Sequence, residues 1–251
     1  MVAVSEISQY LPLSKRPPHD ESAVTNNWAP ATATVLHQLA ITLSSLAATD
    51  WETVSVRVSA RSHTVTVRTI VGELLWSMHG TRCSRFFAVV RCMATQRRLP
   101  SQATAHLVSA IALRETTNLL SELTSLAATN GTAHASGGIT GSIRQLGAGV
   151  AALFEICAVT GRTVAVDPLI SGAVAIAKSL SAPLPITAVL RQCRITARDN
   201  DAPTTTTETK TTGTKTADGW SVGRGRQSDA TASAIVLFLY GRRGFPTPTS
   251  G

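Results

Sequence analysis

The order of apolar and polar positions divides the chain into a polar start, a long series of patterned segments and a polar end. Residues 1–30 are polar and proline-bearing, with Lys15, Arg16, Pro17 and Pro18 in their middle, and read as a mobile leader. From residue 33 to 48, Val35, Leu36, Leu39, Ile41, Leu43 and Leu46 predict an amphipathic helix. Val54, Val56 and Val58 then alternate with Ser55, Arg57 and Ser59, and Val65 and Val67 alternate with Thr64, Thr66 and Arg68. Two β-branched runs joined by the polar link Ala60-Arg61-Ser62-His63 predict a hairpin over residues 53–68. A third short strand is expected over residues 73–78.

Residues 82–98 combine Phe86, Phe87, Val89 and Val90 with Arg82, Arg85, Arg91, Arg97 and Arg98, an apolar segment with a basic face. Leu99-Pro100-Ser101 breaks the chain, and Ser101 is placed to cap the helix that follows. Leu107, Ile111, Leu113, Leu119, Leu120, Leu123 and Leu126 predict helix over residues 106–128, stopped by Asn130-Gly131. After the loop Ala135-Ser136-Gly137-Gly138, residues 143–160 are apolar on every side, as in a buried helix. Asp167-Pro168 marks a helix start near Leu169, and Ala182-Pro183-Leu184-Pro185 is a turn before a helix or strand reaching Cys193. Residues 199–219 are a threonine-rich, low-complexity tract with little to bury, hence a flexible insert. Residues 234–240 form a last apolar element, and 244–251 a proline-bearing tail. The pattern predicts a single α+β domain over residues 31–243.

Composition sharpens this in two ways. Apolar residues reach 43% but aromatics only 4%, so the core is built from small side chains. The net charge of +8 attracts polyanions, with RNA, DNA and anionic membranes the usual partners. Cys83, Cys92, Cys157 and Cys193 lie far apart without a CxxC pair, so no zinc site is implied. That spacing leaves room for one or two disulfides, with free buried thiols the expected state. No basic start leads into an apolar core as a secretory signal would, and the apolar run from Gly147 to Val159 is too short for a span of ~20 residues. The chain as written is expected to be soluble, cytoplasmic and monomeric, without metal, cofactor or membrane span. Asn130-Gly131-Thr132 is a glycosylation sequon that matters only outside the cytoplasm. Gly147-Ala148-Gly149 lacks both the preceding strand and the third glycine of a dinucleotide loop.

The succession of elements resembles the ribosome-inactivating proteins. Glu52-Thr53-Val54-Ser55-Val56-Arg57-Val58 looks like that family's early strand, with the second strand and Leu75-Trp76 following. Ile111-Ala112-Leu113-Arg114-Glu115 and residues 119–126 are similar to its leucine-arginine helix, and Ala135-Ser136-Gly137-Gly138 precedes the central helix. Ser181-Ala182-Pro183-Leu184-Pro185 matches a proline turn, and residues 233–240 look like a closing apolar strand. The resemblance implies an α+β fold with an N-terminal mixed sheet and a buried central helix. It also implies an rRNA N-glycosylase, a toxin of plant defence that inhibits protein synthesis by removing an adenine from large-subunit rRNA.

Such a reaction needs the adenine stacked between rings, a cation to help the base leave and a carboxylate to stabilise an oxocarbenium-like sugar. The resemblance points the catalytic roles at Glu155 and Arg162 on the central helix, while the basic surface of Arg82, Arg85, Arg91, Arg97 and Arg98 is read either as an RNA-phosphate grip or as a merely solvated face. Four features depart from the family pattern. The stacking tyrosines fall near Thr64 and Ala103, the pocket tryptophan near Arg194, and Glu155 and Arg162 stand seven residues apart rather than three. Reduced or lost activity is therefore part of the expectation. In the simpler reading Glu155 is a carboxylate on a helix edge, solvated or paired with Arg144 or Arg162, and Arg162 is a helix-terminal cation. The alternatives at the level of function are a non-enzymatic basic RNA-binding or assembly protein, and a peripheral membrane protein if residues 143–180 are exposed.

Overall fold

The computed structural model describes residues 27–57, 63–78, 82–96, 99–128, 141–198 and 220–246, without the side chains of 82–84 and 96. Most of the leader, the 58–62 link, the 129–140 stop, loop and sequon, the threonine-rich insert and most of the tail lie outside these residues.

Everything is arranged around one helix, α6 (Ile143–Thr160). The Ser142 hydroxyl accepts the Gln145 N–H at its start, and Gly161, at φ +67°, ends it in the left-handed conformation. Between these caps lie Leu146, Val150, Leu153, Phe154 and Ile156, each 4% exposed or less. By length and composition α6 is apolar enough to cross a membrane, yet 67% of it is buried inside the protein. Its apolar surface is already covered, by α1 (Ala29–Ser44), α2 (Val67–Met78), α7 (Pro168–Ser179) and α9 (Ala232–Leu239). Gly149 permits the approach of α1, since a Cβ there would lie 3.2 Å from Val35 Cγ1. One apolar core extends from Ala29 to Leu239.

The hairpin pairs β1 (Val54–Arg57) with β2 (His63–Thr66) antiparallel, with Ser55 opposite Val65. Its alternation is used in an unexpected sense. Ser55 and Arg57 are buried at 8% exposure each, whereas Val54 and Val56 are 50% and 59% exposed. With a side-chain period of two, the face carrying Arg57 turns inward as a unit.

The third strand expected at 73–78 is replaced by α2, which also takes Val67 from the end of the hairpin. Val67, Ile70, Val71, Leu74, Leu75 and Met78 follow helical spacing and are all buried. The Thr66 hydroxyl accepts the Thr69 N–H at 3.2 Å where the chain turns from strand to helix.

Residues 82–96 form α3 (Arg82–Gln96), packed on α4 (Pro100–Ala112). The cap of α4 is Leu99 rather than Ser101, with Pro100 in the first turn. The continuous helix expected over 106–128 is two helices, α4 and α5 (Thr116–Ala128). Arg68 donates to the Arg114 carbonyl at the break, and the bend lets α4 pack on α2 while α5 packs on α1.

After α7, capped by Asp167, and α8 (Leu184–Gln192), the chain enters a second sheet. In order β4 (Ser221–Gly223), β3 (Cys193–Ala197), β5 (Arg226–Ala230), β3 runs antiparallel to β4 and parallel to β5. The class is α+β, but the mixed sheet stands at the C-terminal end and the N-terminal strands form a two-stranded ribbon. The closing apolar segment is helix α9, not a strand. Thr231 caps it, all of Ile235 to Leu239 is buried, and Gly241 ends it at φ +67°. A short apolar run has no periodicity of its own to choose between the two. Cys92, Cys157 and Cys193 are free thiols, and burial pushes Cys157 up to about 11 against a smaller opposing effect of Arg162.

Candidate functional site

The inward face of β1, the middle of α6 and the turn after α9 meet in a buried cluster of charges. Glu155 is 2% exposed, the one acidic residue of α6. Its Oε1 accepts from Ser55 Oγ at 3.1 Å and from Arg57 Nε at 2.7 Å. Its Oε2 accepts from Arg57 Nη2 at 2.9 Å and from Arg242 Nη1 at 2.5 Å. Arg57 also binds Glu73 of α2 in a fork, Nη1 to Oε1 and Nη2 to Oε2, both at 2.8 Å. Local structure aims each partner. The strand alternation turns Arg57 inward, and the left-handed Gly241 lets the Arg242 N–H bond back to the Leu237 carbonyl, which sets Arg242 beside Glu155.

Two guanidiniums and two carboxylates balance, which is what makes their burial tolerable. Burial alone would raise the Glu155 carboxyl, but the Arg57 hydrogen bonds and the charges of Arg242 and Arg57 outweigh it and hold it below its ordinary value. For Arg57, burial acts downward and is outweighed by Glu155 and Glu73, so it is held above the ordinary value. Arg242, more affected by burial than relieved by Glu155, is held below it. A carboxylate that accepts four hydrogen bonds has no oxygen in reserve for a proton or a sugar cation.

Arg162 is elsewhere. Its guanidinium donates to the Thr42 carbonyl at 3.4 Å, to the Ser45 carbonyl at 2.7 Å and to Ser45 Oγ, the free carbonyl end of α1. No hydrogen bond or ion pair joins it to Glu155 among the described residues, and Arg144 makes no ion pair with Glu155 either. The two positions aligned with stacking rings also separate: Thr64 is exposed on β2 and Ala103 is fully buried in α4.

The basic segment has a different character. On α3, Phe86 and Phe87 are 64% and 68% exposed and meet edge to face with centroids 6.0 Å apart. Val90 and Arg91 lie one turn further along the same faces and are exposed too. Arg85 is partly buried, and its Nε has no hydrogen-bond partner among the described residues. Arg82 belongs to α3 by its backbone, and Arg97 and Arg98 lie outside the described residues.

No group of three or more His, Cys, Asp or Glu that could hold a metal occurs among the described residues. Recesses open at two places among the described residues. One, of about 820 Å³, follows α1 and α5 and is lined largely by apolar side chains. The other, of about 450 Å³, lies between the start of α6, the end of α7 and Tyr240. The chain matches no protein-family model, no curated protein and no solved structure.

Sequence reasoning singled out Glu155 but missed Arg57, Glu73 and Arg242. The available signals were an arginine in phase with Ser55 on a strand and a carboxylate inside an otherwise apolar helix, each of which demands a partner.

Proposed function

We propose that the chain is a non-enzymatic RNA-binding protein that holds single-stranded RNA on α3. The observation that carries this reading is the exposed pair Phe86 and Phe87 set among Arg85 and Arg91. Exposed rings provide stacking surfaces for unpaired bases, and unpaired guanidiniums provide phosphate contacts, the two ingredients of sequence-tolerant single-strand binding. The net charge of +8 supplies long-range attraction in the same sense.

Depurination through Glu155 and Arg162 is the rival proposal, and the geometry favours it less, because Glu155 is engaged on both oxygens and Arg162 is bound to α1. One preparation tests both. Fluorescence anisotropy with a short single-stranded RNA should show binding that weakens steeply with salt, and ribosomal RNA treated with the protein and then aniline should show no discrete fragment. Binding unaffected by Phe86→Ala together with Phe87→Ala would remove α3 from the reading, and a discrete aniline fragment would restore the enzyme.

A further inference from the structure

A second recess lies between α6, α7 and the end of α9. Its wall consists of Ile143 and Arg144 from the first turn of α6, Val174 and Lys178 from α7, Ser181, and Tyr240 at the end of α9. Its volume of about 450 Å³ suits a small organic ligand, since such pockets run roughly 300–1,000 Å³. The charge inside is one-sided. Lys178 lies 4.9 Å from the Tyr240 ring centroid, and neither Lys178 nor Arg144 has a carboxylate partner among the described residues. The third nearby cation, Arg242, is already engaged by Glu155 and Glu73.

We propose that this recess binds a phosphate monoester, with Arg144 and Lys178 gripping the phosphate and Tyr240 walling the organic part. Arg144 provides a planar donor set suited to phosphate oxygens, and Lys178 a compact second charge. The start of α6, where Ser142 accepts the Gln145 and Leu146 N–H groups, adds the partial positive charge of a helix N-terminus at the same wall. The electrostatics of Lys178 agree with an anion-seeking site. Burial chiefly, and then the neighbouring charges of Arg144 and Arg242, hold its ammonium below the ordinary value, and a bound dianion offsets the second of these. Burial pushes the Tyr240 phenol up to about 12, with Arg242 acting the other way, so the ring stays neutral. Gly147 makes room for Tyr240, whose hydroxyl occupies the space a Cβ there would take.

Two sources share this chemistry, a free nucleotide and the 5′-phosphate end of an RNA strand. Calorimetric titrations of the full chain at constant ionic strength separate them, using AMP, adenosine, and one short RNA with either a 5′-phosphate or a 5′-hydroxyl. AMP or the 5′-phosphorylated RNA should bind at least about tenfold more tightly than its counterpart lacking the phosphate, since charge-assisted hydrogen bonds are lost with it. A preference confined to the RNA pair assigns the site to strand ends; a preference in the AMP pair assigns it to nucleotides. Lys178→Gln should weaken the preferred ligand about tenfold, and Arg144→Gln, at an exposed position, gives the same readout should the first variant fold poorly. Adenosine binding as well as AMP while both RNAs bind alike, or both variants binding as the parent does, would overturn the proposal. Phe86→Ala with Phe87→Ala leaves AMP binding unchanged, so failure of the α3 reading and failure of this site are told apart.

Discussion

Arginine serves opposite ends in two regions of this chain. Around Glu155, Arg57 and Arg242 are withdrawn from water and matched to two carboxylates. On α3, Arg85 and Arg91 stand beside exposed phenylalanines with no carboxylate partner among the described residues, and the Nε of Arg85 lacks any acceptor there. A buried guanidinium without its carboxylate is costly, so the first set is bound to the fold. Arg91, exposed and without one among the described residues, keeps its guanidinium open to whatever approaches. The difference teaches that formal charge locates neither set; the partners do.

The largest effect should come from removing the anion of the buried cluster. Glu155→Gln leaves Arg57 and Arg242 to share Glu73, and the loss of one partner of a buried pair costs about 3–5 kcal/mol. Denaturant unfolding should register that loss, whatever happens to RNA binding. The same cluster sets a pH limit. The folded Glu155 carboxyl is held below its ordinary value of 4.5, so its contribution is complete above that value and disappears as the pH falls through the folded pKa. Unfolding midpoints should therefore fall on acidification below about 4.5, and fall less in Glu155→Gln. Equal acid sensitivity in both proteins would break the comparison from the buried side.

On the exposed side the expected order is reversed, with binding affected and stability spared. Phe86→Ala and Phe87→Ala should each weaken single-stranded RNA by about 1–3 kcal/mol, the range for one stacked base. Both rings face solvent, so the melting temperature should scarcely change. A smaller effect belongs to Arg91→Gln, which should lower the slope of log affinity against log salt by about one. An unchanged slope would make Arg91 a solvating residue only.

Local signals in the sequence reach as far as local physics does. Ser142, Gly161 and the largely apolar run between them, interrupted by Glu155, define α6, and Asp167-Pro168 defines the start of α7. Where the sequence misleads, tertiary packing has chosen between readings that are locally equivalent. Residues 73–78 are too short a run to set a period alone, but their apolar positions continue the series begun at Val67 and Ile70, and burial against α4 and α6 selects the helix. The closing segment 235–239 is apolar throughout and so becomes whichever form its caps allow. The charged cluster is the least legible part, because Glu155 is 98 residues from Arg57 and 87 from Arg242. Pairing with Arg144 or Arg162 was the local expectation for Glu155, and neither residue takes part.

Arg162 gives the smallest effect and the most discriminating one. It is bound to the carbonyls of Thr42 and Ser45, so its charge meets the negative end of the α1 dipole rather than that of the helix it follows. Such a contact at a partly exposed helix end contributes roughly 1 kcal/mol or less. Arg162→Met should lower the denaturation midpoint slightly, speed amide exchange in the last turn of α1, and leave the RNA affinity of α3 unaltered. A catalytic arginine would behave otherwise: adenine release would fall by orders of magnitude with little change in stability or in α1 exchange. Because α1 and α3 share no substantial contact among the described residues, an effect of Arg162→Met on RNA binding would also expose a coupling that separate structural and binding arginines do not permit. The exchange measurement decides first, since it reports on the contact seen in the structure and needs neither RNA nor ribosomes.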